Sequence, residues 1–471
     1  MSRQKLMRVA SVLLLLACAA HVGYAAALTT QASESTNAAR PNVLLILTDD
    51  QRFDSLSITG NAWIETPNLD RIAREGCLFT RAYASTSRCA PARASLLTGK
   101  HAPAHNIWGN RSDIEFPGKH ETFVERFDAA GYLTAWIGKW HLPGLGDGIV
   151  PGFDHFAGFD GPGKHYGQSF QIDGVERKTK GYLADESTEI ALQFLDHPEL
   201  QEGAPFLLCL SLKNPHVPLT PALRHAGVLD ETEITLPASA TDPASSLPVS
   251  YRAMRSEGSR HAAAAADKQR DDIRRYHEMI LSVDDNVGRV LAKLQKRKQL
   301  QHTIVIFTSD NGQLLGEHGM TQKGVSYEPS IRVPLAVRYP AKIAAGTRLT
   351  SLVLNVDLAP SLLELCDLPA LTHAQGASWV PLLSDPKADW RDRFLYMAPK
   401  VGTTSGPIER AVISKRWKYI IFRDGPRLEE LLIDLKADPD ERILIPRSRQ
   451  NAALMNEMRA WMEGEYLRLS R

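Results

Sequence analysis

At 471 residues, with 43% hydrophobic and 23% charged side chains, the chain has the make-up of an ordinary globular protein and the length for one large domain with a smaller companion. Its 55 Lys and Arg against 54 Asp and Glu leave a formal net charge of +1, which excludes a basic nucleic-acid footprint and means that any bound anion is met by a local site. The cysteines exclude a disulfide framework, because beyond the first 27 residues only Cys77, Cys89, Cys209 and Cys366 remain, without close spacing.

The chain opens on a targeting pattern. Arg3, Lys5 and Arg8 form a basic start, Val9 to Ala20 an apolar run too short to span a membrane comfortably, and Gly23-Tyr24-Ala25 or Ala25-Ala26-Ala27 a small-residue cleavage site. Residues 1–27 are predicted to be a signal peptide and 28–40 a polar linker, with export to the periplasm or the exterior and no transmembrane segment after cleavage. Leu15-Leu16-Ala17-Cys18 offers the alternative of a lipoprotein anchored through Cys18.

Val43-Leu44-Leu45-Ile46-Leu47 is a continuous apolar run between turn formers and predicts a buried strand of a parallel sheet. It ends in Asp49-Asp50, where ligands sit in open α/β sheets, although a pair of aspartates also caps a following helix well. A capped helix is predicted from Thr66 to Gly76. Next comes Cys-Ala-Pro-Ala-Arg-Ala-Ser-Leu-Leu-Thr-Gly, residues 89–99, which reads as a helix entrance. Pro91 presets the first turn, and Arg93, one turn on, is predicted to fold its guanidinium back over the Cys89 sulfur and favour the thiolate. Cys77 and Cys209 lie in apolar contexts and read as small buried hydrophobes.

A helix over 121–131 leads to the strand Leu133–Ile137, which ends in Gly138-Lys139-Trp140-His141. Lys139 and His141, two apart, would point to one side of an extended segment. Residues 144–180 read as long loops over a pocket. A helix from Ala184 to Asp196 precedes the strand 205–212, which ends in Lys213-Asn214-Pro215-His216-Val217-Pro218, two prolines holding His216 in place. Residues 230–268 read as a polar excursion, and a long helix is predicted from about Ile273 to Lys298. The strand Thr303–Thr308 ends in Ser309-Asp310-Asn311-Gly312, Lys323-Gly324 follows on a loop, and a helix from Leu358 to Cys366 closes the main domain. From about Trp379 short strands and a final helix from Asn451 to Leu467 predict a small α+β unit.

The expected fold is therefore α/β, a large mostly parallel sheet sandwiched by helices over residues 41–375, with a smaller C-terminal α+β subdomain carrying an antiparallel sheet over 376–471. Strands that end in polar groups converge on one crevice of a parallel sheet. Asp49, Asp50, Asp310 and Asn311 would bring oxygen ligands there, and Arg93, Lys139, His141, His216 and Lys323 would bring donors. Three carboxylates in one pocket repel each other unless a cation neutralises them, and an all-oxygen set favours Ca²⁺ or Mg²⁺ over zinc. The remaining positive groups then face a second anion, the substrate.

Cys-x-Pro-x-Arg-x-x-x-Leu-Thr-Gly, with Asp-Asp before it and Gly-Lys-Trp-His, Pro-His-x-Pro and Ser-Asp-Asn-Gly after it in that order, resembles the formylglycine-dependent type I sulfatases of the alkaline-phosphatase-like superfamily. The likeness runs from about Pro41 into the C-terminal unit; Ala92 stands where that family usually has Ser. It implies that a formylglycine-generating enzyme oxidises Cys89 during maturation. The hydrated aldehyde then attacks the sulfur of a small-molecule or oligosaccharide sulfate ester and forms a covalent sulfo-enzyme. It further implies that Asp49, Asp50, Asp310, Asn311 and modified Cys89 hold the metal, that Arg93 and His141 orient the diol, and that Lys139, His216 and Lys323 bind the sulfate ester, with His216 as general acid and Lys323 as its rival. His105, Trp108, Asn110, His165 and His318 either face the leaving alcohol or serve as local loop residues. Two other readings use the same residues: a phosphate or phosphonate ester hydrolase on this fold, and a non-catalytic glycan-binding relative in which Cys89 stays a thiol.

Overall fold

The computed structural model describes residues 40–471 apart from 111–115, 117–119, 144, 146–149, 253–261, 322 and 399–407. The targeting segment, with its cleavage sites and Cys18, lies outside the described residues. Among the described residues no helix is long and apolar enough to cross a membrane.

The strands in chain order are β1 (Asn42–Asp49), β2 (Cys77–Tyr83), β3 (Leu133–Lys139), β4 (His155–Phe159), β5 (Ser169–Ile172), β6 (Val175–Lys178), β7 (Phe206–Pro215), β8 (Thr303–Ser309), β9 (Arg332–Arg338), β10 (Thr347–Leu349) and β11 (Val353–Leu354). They form one sheet in the order β10-β2-β9-β8-β1-β7-β3-β4-β5-β6, with β11 also on β2. Its centre, β8-β1-β7-β3-β4, is parallel throughout. The register sets Thr48 opposite Ser309, Asp49 opposite Pro215 and Gly138 opposite Ser211, so the carboxyl ends of four strands open on one edge.

Alternation along β1 explains why its apolar run is unbroken. Val43, Leu45 and Leu47 enter one core and Leu44 and Ile46 the other, so each face of the sheet is covered. The helices that cover it include α1 (Pro67–Arg74), α2 (Cys89–Thr98), α3 (Phe123–Ala129), α4 (Leu183–Phe194), α5 (Ala262–Lys296) and α6 (Leu358–Leu365).

Two stretches differ from expectation. Residues 155–178, read as loops, contain β4 and the edge hairpin β5-β6, whose turn at Asp173-Gly174 has φ of 48° and 82°. An Asp-Gly pair between short alternating runs is the hairpin signal that the Gly- and His-rich composition obscured. The long helix begins at Ala262 rather than near Ile273, so its charged first turns belong to the folded body.

The C-terminal unit is an antiparallel sheet of β12 (Arg393–Met397), β13 (Ile408–Ser414), β14 (Trp417–Asp424), β15 (Arg427–Asp434) and β16 (Ile445–Pro446), with α7 (Ala452–Leu469) on one face. Leu395, Met397, Val412 and Tyr419 pack on Met455, Met458 and Met462 of α7. Phe394, Tyr396, Ala411 and Ile413 face Tyr83, Leu314 and Tyr327 of the main sheet unit.

That second face carries a buried polar junction. Glu409 accepts from the Ser326 backbone N–H at 2.9 Å and from the Tyr251 hydroxyl. Burial pushes its pKa up to about 7, although both hydrogen bonds favour the carboxylate. A carboxyl that holds its proton more tightly in the folded state stabilises the fold below the ordinary carboxylate range and loses that contribution as pH rises through 7. Stability, followed through the thermal midpoint, is therefore expected to fall between pH 5 and pH 8, by on the order of 3 kcal/mol from this group, and Glu409→Gln is expected to flatten the fall. A variant with the wild-type slope would remove Glu409 as its source.

Candidate active site

Cys89 is the first residue of α2, a helix buried along its whole length. Arg88 ahead of it is extended, and the Ala90 N–H, free of an intrahelical partner at this end, donates to Asn110 Oδ1 at 3.2 Å. The Cys89 sulfur is fully buried, 3.2 Å from Asp49 Oδ1 and 3.1 Å from Lys323 Nζ. Burial and the Asp49 charge raise its pKa, but Lys139, Lys323 and a hydrogen bond from His216 outweigh them and bring the thiol down to about 7. By contrast, burial alone pushes Cys77 up to about 12, and burial pushes Cys209 up as well.

The strand ends bring the charges together. Asp49, last in β1, pairs with Lys139, last in β3, and both are fully buried. Burial would raise the Asp49 pKa, but Lys139, His216, Lys323 and Arg93 together hold it well below the carboxylate range. Asp50 has φ of 68°, a left-handed turn that swings its carboxylate to Lys323, to Asn311 Nδ2 at 2.6 Å and toward His216 Nε2 at 3.7 Å. Asp310 goes the opposite way from Asp49, since burial, then the charges of Asp49 and Cys89, push its pKa well above the usual value.

The hydrogen bonds of Arg93 go to oxygens rather than to the sulfur. Its Nε donates to Asp310 Oδ2 at 2.9 Å, and its Nη1 donates to the Lys139 carbonyl and Ser211 Oγ, each at 2.8 Å. A fully buried guanidinium needs several acceptors at once, and three strand ends supply them where one sulfur cannot. The extended-segment argument for Lys139 and His141 also fails, because His141 has φ of 54° and the backbone turns there. Both side chains still reach the cluster. Burial and Lys139 lower the His141 pKa to about 2, so its ring is neutral.

Asp49, Asp50, Cys89 and His216 each offer a ligand atom within 4.8 Å of the others. Three buried polar atoms around them have no hydrogen-bond partner: Asn311 Oδ1, Arg93 Nη2 and His141 Nδ1. An orphaned amide oxygen beside clustered carboxylates suits a hard cation, and a spare guanidinium N–H in the same buried cluster suits an oxygen. This donor set therefore fits a divalent metal.

Residues 41–368 match the family model described as Sulfatase. The chain belongs to the sulfatase family. Residues 316–466 match a second model, N-sulphoglucosamine sulphohydrolase, C-terminal. The chain is 32% identical to an N-acetylglucosamine-6-O-sulfatase of Bacteroides thetaiotaomicron, over 85% of this chain and 82% of the relative. A solved structure of a protein in complex with its substrate D-glucosamine-2-N,6-O-disulfate superposes with a TM-score of 0.83 at 30% identity, covering 91% of this chain and 98% of that one. A phosphonate monoester hydrolase of Agrobacterium radiobacter, at 23% identity and a TM-score of 0.74 over 91% and 96%, shares the fold. This sulfatase is an enzyme, a sulfuric ester hydrolase on the alkaline-phosphatase-like fold, and the sulfatase family is formylglycine-dependent and metal-using.

The loop residues of this sulfatase each have local partners. His105 is buried, with Nε2 3.0 Å from Ser95 Oγ and Nδ1 accepting from the Ile107 N–H. Trp108 packs on the α7 cluster, Asn110 caps α2, and His318 stacks on Tyr327 with centroids 4.1 Å apart. His165 supports the site indirectly through Nε2, 3.0 Å from the His216 carbonyl.

Lys213 belongs to the site but was not among the predicted residues. Its buried ammonium lies 3.3 Å from His216 Nδ1 and donates to the Val217 carbonyl at 2.7 Å, and burial first, despite Asp49, lowers its pKa to about 8. The available signal was its place at the end of a buried strand, where a lysine has no packing reason to be.

Proposed function

We propose that this sulfatase removes sulfate from a sulfated carbohydrate, with Cys89 as the precursor of a formylglycine nucleophile. The observation that carries the reading is the Cys89 sulfur, fully buried between Asp49 and Lys323 and acted on by the charge of Lys139 and a hydrogen bond from His216. A binding module has no use for so many buried charges around one side chain. The likeness to an N-acetylglucosamine-6-O-sulfatase and to a structure holding a sulfated sugar supports the substrate class.

After oxidation by a formylglycine-generating enzyme and hydration, residue 89 carries two hydroxyls. One loses its proton and attacks sulfur in line; the bond from sulfur to the alcohol oxygen breaks, and that oxygen takes a proton from His216, with Lys323 as the alternative donor. Lys139 and Lys323 hold the sulfuryl oxygens, and Arg93 and His141 hold the diol in place. The second hydroxyl then loses its proton, the carbon–oxygen bond to the sulfate breaks, and the aldehyde returns. Asp49, Asp50, Asp310 and Asn311, with an oxygen of residue 89, would hold Ca²⁺ or Mg²⁺, which when bound supplies Lewis-acid stabilisation of the sulfuryl charge. On this reading residues 41–375 form the catalytic domain and 376–471 its C-terminal subdomain, and residues 1–27 direct export.

The test is a panel of sulfated mono- and oligosaccharides beside phosphate and phosphonate monoesters, with released inorganic sulfate or phosphate measured. Sulfate release is expected to dominate, to fall to background with EDTA and to return with Ca²⁺ or Mg²⁺. A higher kcat/KM on phosphorus esters would overturn the reading.

A further inference from the structure

A cavity of about 410 Å³ begins at Asp50 and runs outward between the loop after β7 and the first turns of α5. The site so far described assigns nothing to it. Sulfate alone does not need it, and its size falls in the roughly 300–1,000 Å³ range of clefts that enclose a small organic molecule.

One wall is apolar. Val217, next to His216, is 46% exposed there, and Leu219 stands beside it. Another part of the lining is α5, which presents Lys268 paired with Asp272 at 2.6 Å and Arg275 paired with Asp271 at 2.9 Å. Neither pair exhausts its hydrogen-bonding capacity. Arg275 uses Nε on Asp271 and keeps the rest of its fork for another acceptor. The Asp272 carboxylate accepts from Lys268 through one oxygen and has lone pairs left. A surface with an apolar side and a planar, forked polar side suits a pyranose, whose ring offers a C–H face and an edge of neighbouring hydroxyls.

The wall is also held at a set distance from the reacting centre. The Tyr276 hydroxyl donates to the Asp50 carbonyl at 2.7 Å and accepts from the Arg52 N–H at 2.9 Å. Gln269 Nε2 donates to the Leu315 carbonyl at 3.0 Å over Gly316, where φ is 113° and an added Cβ would lie 1.3 Å from Gln269 Nε2. Two turns of α5, from Gln269 to Tyr276, are thus tied to the backbone at Asp50 and at Leu315.

We propose that this groove is the subsite for the sugar ring of the sulfated substrate, with Asp272 and Arg275 of α5 as specificity-determining residues that hydrogen-bond the sugar hydroxyls. The proposal rests on the sulfated-carbohydrate reading above. The test compares kcat/KM for D-glucosamine-2-N,6-O-disulfate and other sulfated monosaccharides with kcat/KM for 4-nitrophenyl sulfate, in the wild type, Asp272→Ala and Arg275→Ala, all in the modified, metal-loaded enzyme. In each variant the ratio of the best sugar ester to the aryl ester is expected to fall about tenfold, through KM rather than kcat. A wild type active on sugars whose variants keep the ratio would overturn the subsite alone. A wild type that hydrolyses the aryl ester and no sugar ester, or neither, would overturn the carbohydrate reading and the subsite with it.

Discussion

Cys89→Ala is expected to lower turnover by roughly four orders of magnitude or more while leaving the stability within about 1 kcal/mol of the wild type. The two halves of the expectation have separate causes. Alanine cannot become formylglycine, so the nucleophile is lost whatever the rest of the site does. The fold does not depend on the sulfur, because α2 is held elsewhere: Asn110 receives the Ala90 N–H, and Arg93 binds Asp310, Lys139 and Ser211. Mass spectrometry of the peptide containing residue 89 completes the test. Protein made with the modifying enzyme should show the aldehyde or its hydrate, and a wholly unmodified cysteine in active protein would sink the mechanism.

The second large effect is expected far from the sulfur. Lys418→Met should destabilise the fold by about 3 kcal/mol or more and reduce kcat as well. Lys418 is a fully buried residue of β14 whose ammonium donates to the Ser326 carbonyl at 2.6 Å, to Glu441 at 2.5 Å and to Glu328 at 3.1 Å. Glu441 in turn accepts from the Glu328 N–H at 2.6 Å. Removing the ammonium leaves two carboxylates facing each other without water, and methionine fills the volume without replacing the charge. Burial, then repulsion from Glu328, already lifts Glu441 to about 7 against the pull of Lys418. In the variant both acids can bind protons, so its deficit should be smaller at pH 5 than at pH 8; an equal deficit at both would point to packing alone. The link to kcat is the segment itself, since residues 323–328 carry Lys323 to Cys89 at one end and meet Lys418 at the other. A midpoint loss with unchanged kcat would show that the segment keeps its place without Lys418.

Local patterns were enough to locate much of this. The apolar run of β1 and its terminal Asp49-Asp50, the helix entrance at Cys89 and the strand ends at Lys139, His216 and Asp310 are short-range signals, set by alternation, helix periodicity and turn residues. They put these residue types at element ends, and in the structure the ten residues singled out from the sequence lie around one centre. What went wrong at close range has a common source. The side-chain direction of Arg93, the backbone turn at His141 and the place of Lys213 are each decided by partners on other strands.

From its sequence alone this chain is a mostly parallel α/β protein with a cysteine, an acid pair and a set of cations at strand ends. The tertiary structure decided where those groups point. The Asp50 N–H reaches Asp310 across 260 residues, Lys323 reaches Asp50 across 273 and Tyr276 reaches Asp50 across 226. No periodicity encodes such separations; they follow from the order in which β8, β1 and β7 pair and from α5 lying against that edge. The same packing turns the first charged turns of a long helix, which in sequence stand ahead of its predicted start, into the wall of a groove that reaches Asp50.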